Sequence, residues 1–371
     1  MNILHLSAIN NWGGGENQIE LLGKEFKKNF PQVENTILCV EEGLFHKHLK
    51  TTKLNYQTVK LSFNLDLRYC LKIKRICKTK HIDLIHIHDT KALSLAVLAD
   101  NFFNLPPMVF SKKTSFPIKN RKSTLLKYNY TKIERILCVS EKTKEIAAKH
   151  ITDKSKLQTL YHGLSIEKQK SISSEIQLRK KLEIVGDVIL VGHIGNHIPA
   201  KDLTTLANTI EALVKKNSGL KFHFVQIGRF SAETPRFLQQ LKAKGIKEYV
   251  SILGFMPNAA AFIPQLDYLL VTSNSEGLPN VIFEAFYYKT PVIATNVGGI
   301  PEIVAHLENG LLAEAKDAKK LAEYIVYLVG NPELKQDYIE KSYQKLLENF
   351  TTKRMAKETF QVYKNILNGR S

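Results

Sequence analysis

Short apolar runs alternate with stretches in which apolar residues recur every three or four positions, and this alternation continues almost from end to end of the chain. The runs at 2–7, 36–40, 84–88, 108–111, 136–139 and 157–161 predict one series of strands. Those at 188–194, 221–227, 250–253, 268–273, 291–295 and 310–312 predict a second. Strands that alternate with helices imply parallel sheets wound by crossover helices, so the expected class is α/β with one doubly wound sheet per series. Between the series, residues 165–182 are polar and charged and read as the connection. The stretch 334–367 reads as two helices broken near Asn349, Phe350 and Thr351. The organisation expected is a first Rossmann-like domain over 1–168, a second over 169–350, and a helix within 351–371 that crosses back to the first. Each domain should bind ligands at the carboxyl ends of its strands, and the two sets of strand ends should face each other across a cleft.

Composition agrees with two domains. A chain of 371 residues with 44% apolar content exceeds one typical core. No apolar run approaches the ~20 residues needed to span a bilayer. The start, Met1-Asn2-Ile3-Leu4-His5-Leu6, reads as a strand with neither a basic leader nor a cleavage site, so a cytoplasmic protein without an anchor is expected. Cys39, Cys70, Cys77 and Cys138 lack metal-ligand or redox-motif spacing and read as buried thiols.

The net charge of +18 is uneven. Residues 1–170 hold 29 Lys and Arg against 15 Asp and Glu, a net +14, which leaves 24 against 20, a net +4, for 171–371. From Asn101 to Ile133 there is no acidic residue, while Lys112, Lys113, Lys119, Arg121, Lys122, Lys127 and Lys132 mingle with Phe116, Ile118, Leu125, Leu126 and Tyr128. Such a mixture suits the headgroups of an anionic membrane, a phosphorylated acceptor, nucleic acid, or merely solvent.

The richest chemistry lies at 275–285, which read SEGLPNVIFEA. Glu276 and Glu284 stand eight positions apart around a strand–loop–helix turn, with Pro279 suited to the first helical turn. A helix N-terminus there attracts phosphate, whereas carboxylates accept hydrogen bonds from hydroxyls. A ligand with hydroxyl-bearing groups on both sides of a diphosphate satisfies all three features, and a nucleotide sugar is such a ligand. Other motifs sit at predicted strand ends. Gly13-Gly14-Gly15-Glu16 opens the first helix without the GxGxxG spacing of dinucleotide sites. His86 and His88 share one face of their strand, and His88 lies at its end beside Asp89. Two histidines can begin a metal site, but no third ligand is evident nearby. Lys201 precedes a helix as a point charge for phosphate, and Val297-Gly298-Gly299-Ile300-Pro301-Glu302 forms a further strand-to-helix turn. A lone histidine, lysine or glycine turn can equally be structural.

SEGLPNVIFEA followed by PVIATNVGGIPEIV resembles the signature of the retaining glycosyltransferases of family 4, the group 1 glycosyltransferases, whose GT-B fold has two facing Rossmann-like domains. Gly14-Gly15-Glu16, His88-Asp89, Val139-Ser140 and Tyr161-His162-Gly163 match in order, so the resemblance covers nearly the whole chain. It implies transfer of a sugar, of hexosyl type, from a nucleotide-diphosphate donor to a glycan or glycolipid acceptor, as in cell-surface polysaccharide or lipopolysaccharide biosynthesis. Glu284 would bond the ribose, and Glu276 the hydroxyls of the transferred sugar. The backbone at Gly277, Leu278, Pro279 and Asn280 would lie near sugar and phosphates, Lys201 would hold the diphosphate, and Gly14 and Gly15 would close over it. His88 would line the reaction centre. Where many members carry Arg before the phosphate lysine, this chain has Asn196, so Arg229 becomes a further candidate for neutralising the diphosphate. Asp89, Lys112 and Lys113 are acceptor-side candidates. No metal and no cofactor beyond the nucleotide sugar are implied. Peripheral contact with an anionic inner membrane face is the expectation for the basic first domain, and no nucleic-acid partner is expected. A sugar-nucleotide epimerase or phosphorylase of the same fold is the alternative, and a nucleic-acid-binding protein the remote one.

Overall fold

A computed structural model describes residues 1–215 and 219–369. The chain divides into two compact units, Met1–Gly163 with Thr352–Ser371, and Leu164–Thr351. The first boundary falls five residues before the expected 168/169, because the connection's short helices Ile166–Lys170 and Leu178–Lys181 belong to the second unit.

The first unit is built on seven parallel strands: β1 (Asn2–Leu6), β2 (Glu34–Val40), β3 (Tyr56–Val59), β4 (Leu84–Ile87), β5 (Met108–Lys112), β6 (Ile133–Cys138) and β7 (Leu157–Thr159). Their order is β3-β2-β1-β4-β5-β6-β7. Both faces are covered, which is why the strands read as near-continuous apolar runs. On one face Leu4, Leu6, Ile85 and Ile87 pack with Tyr69 and Ile73 of the helix Leu67–Thr79 and with Leu93 and Ala96 of the helix Thr90–Phe103. On the other, Ile3 and Leu84 pack with Leu22 and Phe26 of the helix Gly14–Asn29 and with Val362 and Tyr363 of the C-terminal helix Thr352–Asn368. Strand alternation puts His5 and His86 on this second face. The strand missed by periodicity is β3, every residue of which is only half-buried. An edge strand lacks the continuous apolar signature.

The second unit has six parallel strands: β8 (Val188–Ile194), β9 (Lys221–Ile227), β10 (Val250–Gly254), β11 (Tyr268–Val271), β12 (Val292–Thr295) and β13 (Leu311–Ala313), in the order β10-β9-β8-β11-β12-β13. Leu206 and Ile210 of the helix Leu203–Lys215 and Ile325 of the helix Ala318–Val329 cover Phe224, Leu270 and Ile293. The strand order of each sheet reverses once, between β1 and β4 and between β8 and β11, and the crevice at such a reversal is where open α/β sheets bind ligands.

Candidate functional site

In the second unit the reversal brings together the loops after β8 and β11. Lys201 comes from the first and Glu276 from the second, and the lysine Nζ donates to Glu276 Oε1 at 2.6 Å. Both side chains are less than a fifth exposed, so the pair is held out of bulk water. Ser273 Oγ donates to the same carboxylate oxygen at 2.6 Å. The two loops are tied elsewhere as well. Asn274 N donates to Ala200 O at 2.9 Å, and Thr272 Oγ1 donates to Lys201 O at 3.0 Å.

Glycines permit the close approaches. A side chain at Gly195 would press on the Lys201 stem at 3.1 Å, and one at Gly228 would meet Gly195 O at 1.9 Å. Gly298 has φ +57 and lies so near the Glu276 backbone that a Cβ there would stand 1.9 Å from its carbonyl oxygen. Gly299 N donates to Gly277 O at 3.1 Å. The Val297–Glu302 turn is therefore the floor that sets the height of the Glu276 loop.

The helix Asn280–Tyr287 begins one residue after Pro279, which is its N-cap and offers no side-chain hydrogen bond. Its first-turn N–H groups have no capping side chain, and its dipole favours an anion there. Leu278 is buried and anchors the turn. Glu284, the fifth helical residue, is pushed up from the ordinary carboxylate range to about 7 by desolvation, against the opposing charge of Lys168. A carboxylate that costs this much to ionise is poised to gain from hydroxyl donors.

Asn196 does not stand in for a charged fork. Its Oδ1 accepts from Arg229 N at 2.9 Å, which ties the loop after β8 to the loop after β9. Arg229 is exposed and places its guanidinium 4.9 Å from the centre of the Phe255 ring. His197 was not singled out by sequence, yet it anchors the same loop. It is buried, with Nδ1 2.8 Å from Thr234 Oγ1 and Nε2 2.8 Å from Gln226 Oε1.

In the first unit the Gly14–Gly15 turn opens the helix Gly14–Asn29 without a side-chain cap. The Gly15 carbonyl accepts from Lys113 Nζ at 2.8 Å. Burial pulls the Lys113 ammonium down to about 8, offset in part by Glu16 and Asp89. Asp89 caps the helix Thr90–Phe103 by accepting from Lys91 N at 3.0 Å and Ala92 N at 2.8 Å, and it also accepts from Ala8 N at 2.8 Å. Its carboxylate thus pins the ends of β1 and β4 together. Lys112 is engaged within its own segment. It is 4% exposed, and its Nζ donates to Thr114 O at 2.6 Å and Phe116 O at 2.9 Å, closing its own loop.

The third histidine that sequence could not supply is His5, whose strand pairs with β4 so that His5 stands opposite His86. Ring nitrogens of His5, His86 and His88 lie within 4.8 Å of one another, the donor set of a cation site. Hydrogen bonds already account for most of these nitrogens. His5 Nδ1 is 2.9 Å from His88 Nε2, His5 Nε2 is 2.9 Å from Asn35 Oδ1, and His86 bridges Tyr363 and Ser111. All three rings are held below the ordinary histidine range by burial, and the nearby Lys113 charge acts in the same direction. The cluster is a chain of neutral imidazoles beside an ammonium, a setting that disfavours a divalent ion.

Among the described residues all four cysteines are free. Burial pushes Cys39, Cys77 and Cys138 up to about 12, so they are inert thiols. No described helix is long and apolar enough to cross a membrane.

Comparison with known proteins agrees with this layout. Residues 12–168 match Glycosyltransferase Family 4 and residues 186–331 match Glycosyl transferases group 1. The chain is 22% identical over 311 residues to N-acetyl-alpha-D-glucosaminyl L-malate synthase of Bacillus anthracis, covering 81% of this chain and 80% of that protein. It is 23% identical over 239 residues to the capsular polysaccharide biosynthesis glycosyltransferase CapM of Staphylococcus aureus, covering 62% of each. The fold superposes on HepE of Anabaena, solved with UDP, with a TM-score of 0.83 and 19% identity over 98% of this chain and all of that one. With two doubly wound parallel sheets and family matches over both units, the chain belongs to the group 1 glycosyltransferases of the GT-B fold.

Proposed function

We propose that the protein transfers a hexosyl-type sugar, with retention and without a metal ion, from a nucleotide-diphosphate donor to a glycan or lipid-linked acceptor of the cell surface. The observation that carries the reading is the grouping of Lys201, Glu276 and Glu284 around the uncapped start of the helix Asn280–Tyr287. A carboxylate has about four acceptor positions. Glu276 accepts from Lys201 and Ser273 and would also accept from sugar hydroxyls. Glu284 accepts from the ribose. Lys201 has three donors, so it keeps Glu276 while meeting the diphosphate together with the helix dipole. Arg229, stacked on the exposed Phe255 ring, adds positive charge at the strand ends. Co-crystallisation of HepE with UDP and the capsular role of CapM support the donor and acceptor classes.

In the reaction the acceptor oxygen bonds to the anomeric carbon as the bond from that carbon to the diphosphate oxygen breaks. The electron pair leaves with the diphosphate, and the acceptor proton passes to a phosphate oxygen. Stabilising that leaving charge is the electrostatic task of Lys201 and the helix dipole. His88 takes no proton at neutral pH, because burial holds it well below the ordinary histidine range; as a neutral ring it donates from one nitrogen and accepts at the other.

Exposed apolar side chains beside basic ones support contact with an anionic membrane. Phe116 and Leu126 are 60% and 63% exposed among Lys119, Arg121 and Lys122. Sedimentation with phosphatidylglycerol vesicles tests this, with phosphatidylcholine vesicles as the control. The donor site is tested by calorimetry with UDP-glucose and other nucleotide sugars: Glu284→Ala should lose at least tenfold in affinity for whichever donor binds. Unchanged affinity would sink the ribose assignment.

A further inference from the structure

The histidine chain of the first unit has a direction, and the direction can be read from its far end. Asn35 Nδ2 donates to Val33 O at 3.3 Å, so its Oδ1 is the atom that faces His5 Nε2 at 2.9 Å. Reversing the amide would set a carbonyl against a carbonyl. An amide oxygen only accepts, so His5 Nε2 carries the hydrogen. His5 is neutral near pH 7, since burial pulls it down to about 4, and its Nδ1 is therefore bare. That bare nitrogen lies 2.9 Å from His88 Nε2, which must donate to it. His88 Nδ1 is left as an unprotonated acceptor, fully buried and with no hydrogen-bond partner among the described residues. A buried acceptor without a partner is costly to keep and needs an occupant.

His88, Ser111, Lys113 and Gln18 line a cavity of about 30 Å3. That exceeds the ~10–15 Å3 that one water requires, so a single water or hydroxyl has room. His86, held by Tyr363 and Ser111, lies tilted against the His88 ring with centroids 4.0 Å apart and keeps it from turning.

We propose that Asn35 and His5 are positioning residues that fix His88 as its Nε2–H tautomer, so that its bare Nδ1 accepts a hydrogen bond from a substrate hydroxyl. The hydroxyl's being that of a sugar rests on the glycosyl-transfer reading; the tautomer does not.

The test is therefore made on the ligand-free, full-length protein. Nitrogen-15 labelling of the histidines and long-range proton–nitrogen spectra at pH 7 report which nitrogen of each ring is protonated, with His88→Gln identifying the resonances. The expected spectrum has Nε2 protonated and Nδ1 bare in both His5 and His88. In Asn35→Ala the His88 tautomer ratio should shift by about fivefold, the effect of losing one net hydrogen bond. Asn35→Asp keeps an acceptor in place and should restore the wild-type pattern. A wild-type His88 protonated at Nδ1, or an Asn35→Ala spectrum with the wild-type ratio, overturns the proposal. The wild-type spectrum decides the first point even if Asn35→Ala does not fold. Calorimetry on Glu284→Ala fails or succeeds independently, so loss of the donor reading would not be mistaken for loss of the relay.

Discussion

Lys201 Nζ sits 2.6 Å from Glu276 Oε1, a pair formed between residues 75 positions apart in sequence and largely shielded from water. Lys201→Ala strands the carboxylate. Breaking a shielded pair on one side should cost about 2 kcal/mol, somewhat below the value for fully buried pairs. Urea denaturation should show the loss. Lys201→Ala combined with Glu276→Gln should regain most of the stability while donor affinity stays low, because neutral Gln no longer needs the cation but the diphosphate still does. Recovery of both together would mean that Lys201 serves only the fold.

Glu284 makes donor binding and stability respond to pH in opposite senses. Its pKa is raised in the folded chain to about 7 from an ordinary 4.5. The folded state therefore holds the proton more tightly between those values, and this contribution to stability is fully present below about 4.5 and lost as pH rises through 7. Donor affinity should instead rise through pH 7, since the ionised carboxylate is the better acceptor for hydroxyls. Glu284→Gln should flatten both profiles, as checked by thermal unfolding and calorimetry from pH 5 to 9.

Gly298→Ala should damage the donor site without touching any donor. The new Cβ would meet Glu276 O at 1.9 Å from a left-handed backbone, so strain of about 2 kcal/mol or more is expected. The Glu276 loop must rise to relieve it. A raised KM for the donor and a lowered unfolding midpoint are the readouts; an unchanged KM would show that the loop position is not critical.

Asn196 is a loop tie, so Asn196→Ala should raise the donor KM only about fivefold, the equivalent of one lost hydrogen bond. Lys201→Ala should have a much larger effect. Equal losses in the two variants would point to direct phosphate contact by Asn196.

Metal independence has a simple check. Turnover after exhaustive chelation should equal that with added magnesium, because Lys201 and the helix dipole supply the positive charge at the diphosphate. A rate that falls with chelation and returns with magnesium would refute it.

Much of this was legible in local sequence. The SEGLPNVIFEA block announces its turn because a loop carboxylate, a Pro-Asn helix entry and a second carboxylate must follow in that order. The hydrogen bonds of Lys112 and Asp89 were not legible, because a lysine in a basic segment and an aspartate at a strand end look available until the carbonyls and N–H groups they satisfy are placed.

Sequence alone determined the α/β class, the two series of strands apart from the edge strand β3, and the family. Those follow from apolar periodicity and from motifs whose residues lie within about ten positions of one another, where chain geometry leaves few choices. Only the tertiary structure decided the pairings: Lys201 with Glu276, His5 with His88, Asn35 with His5, and Gly298 beneath Glu276. Each joins residues separated by 22 to 83 positions through the strand order of a sheet, and the order of parallel strands is set by which helices cover which face rather than by anything a local stretch of chain carries.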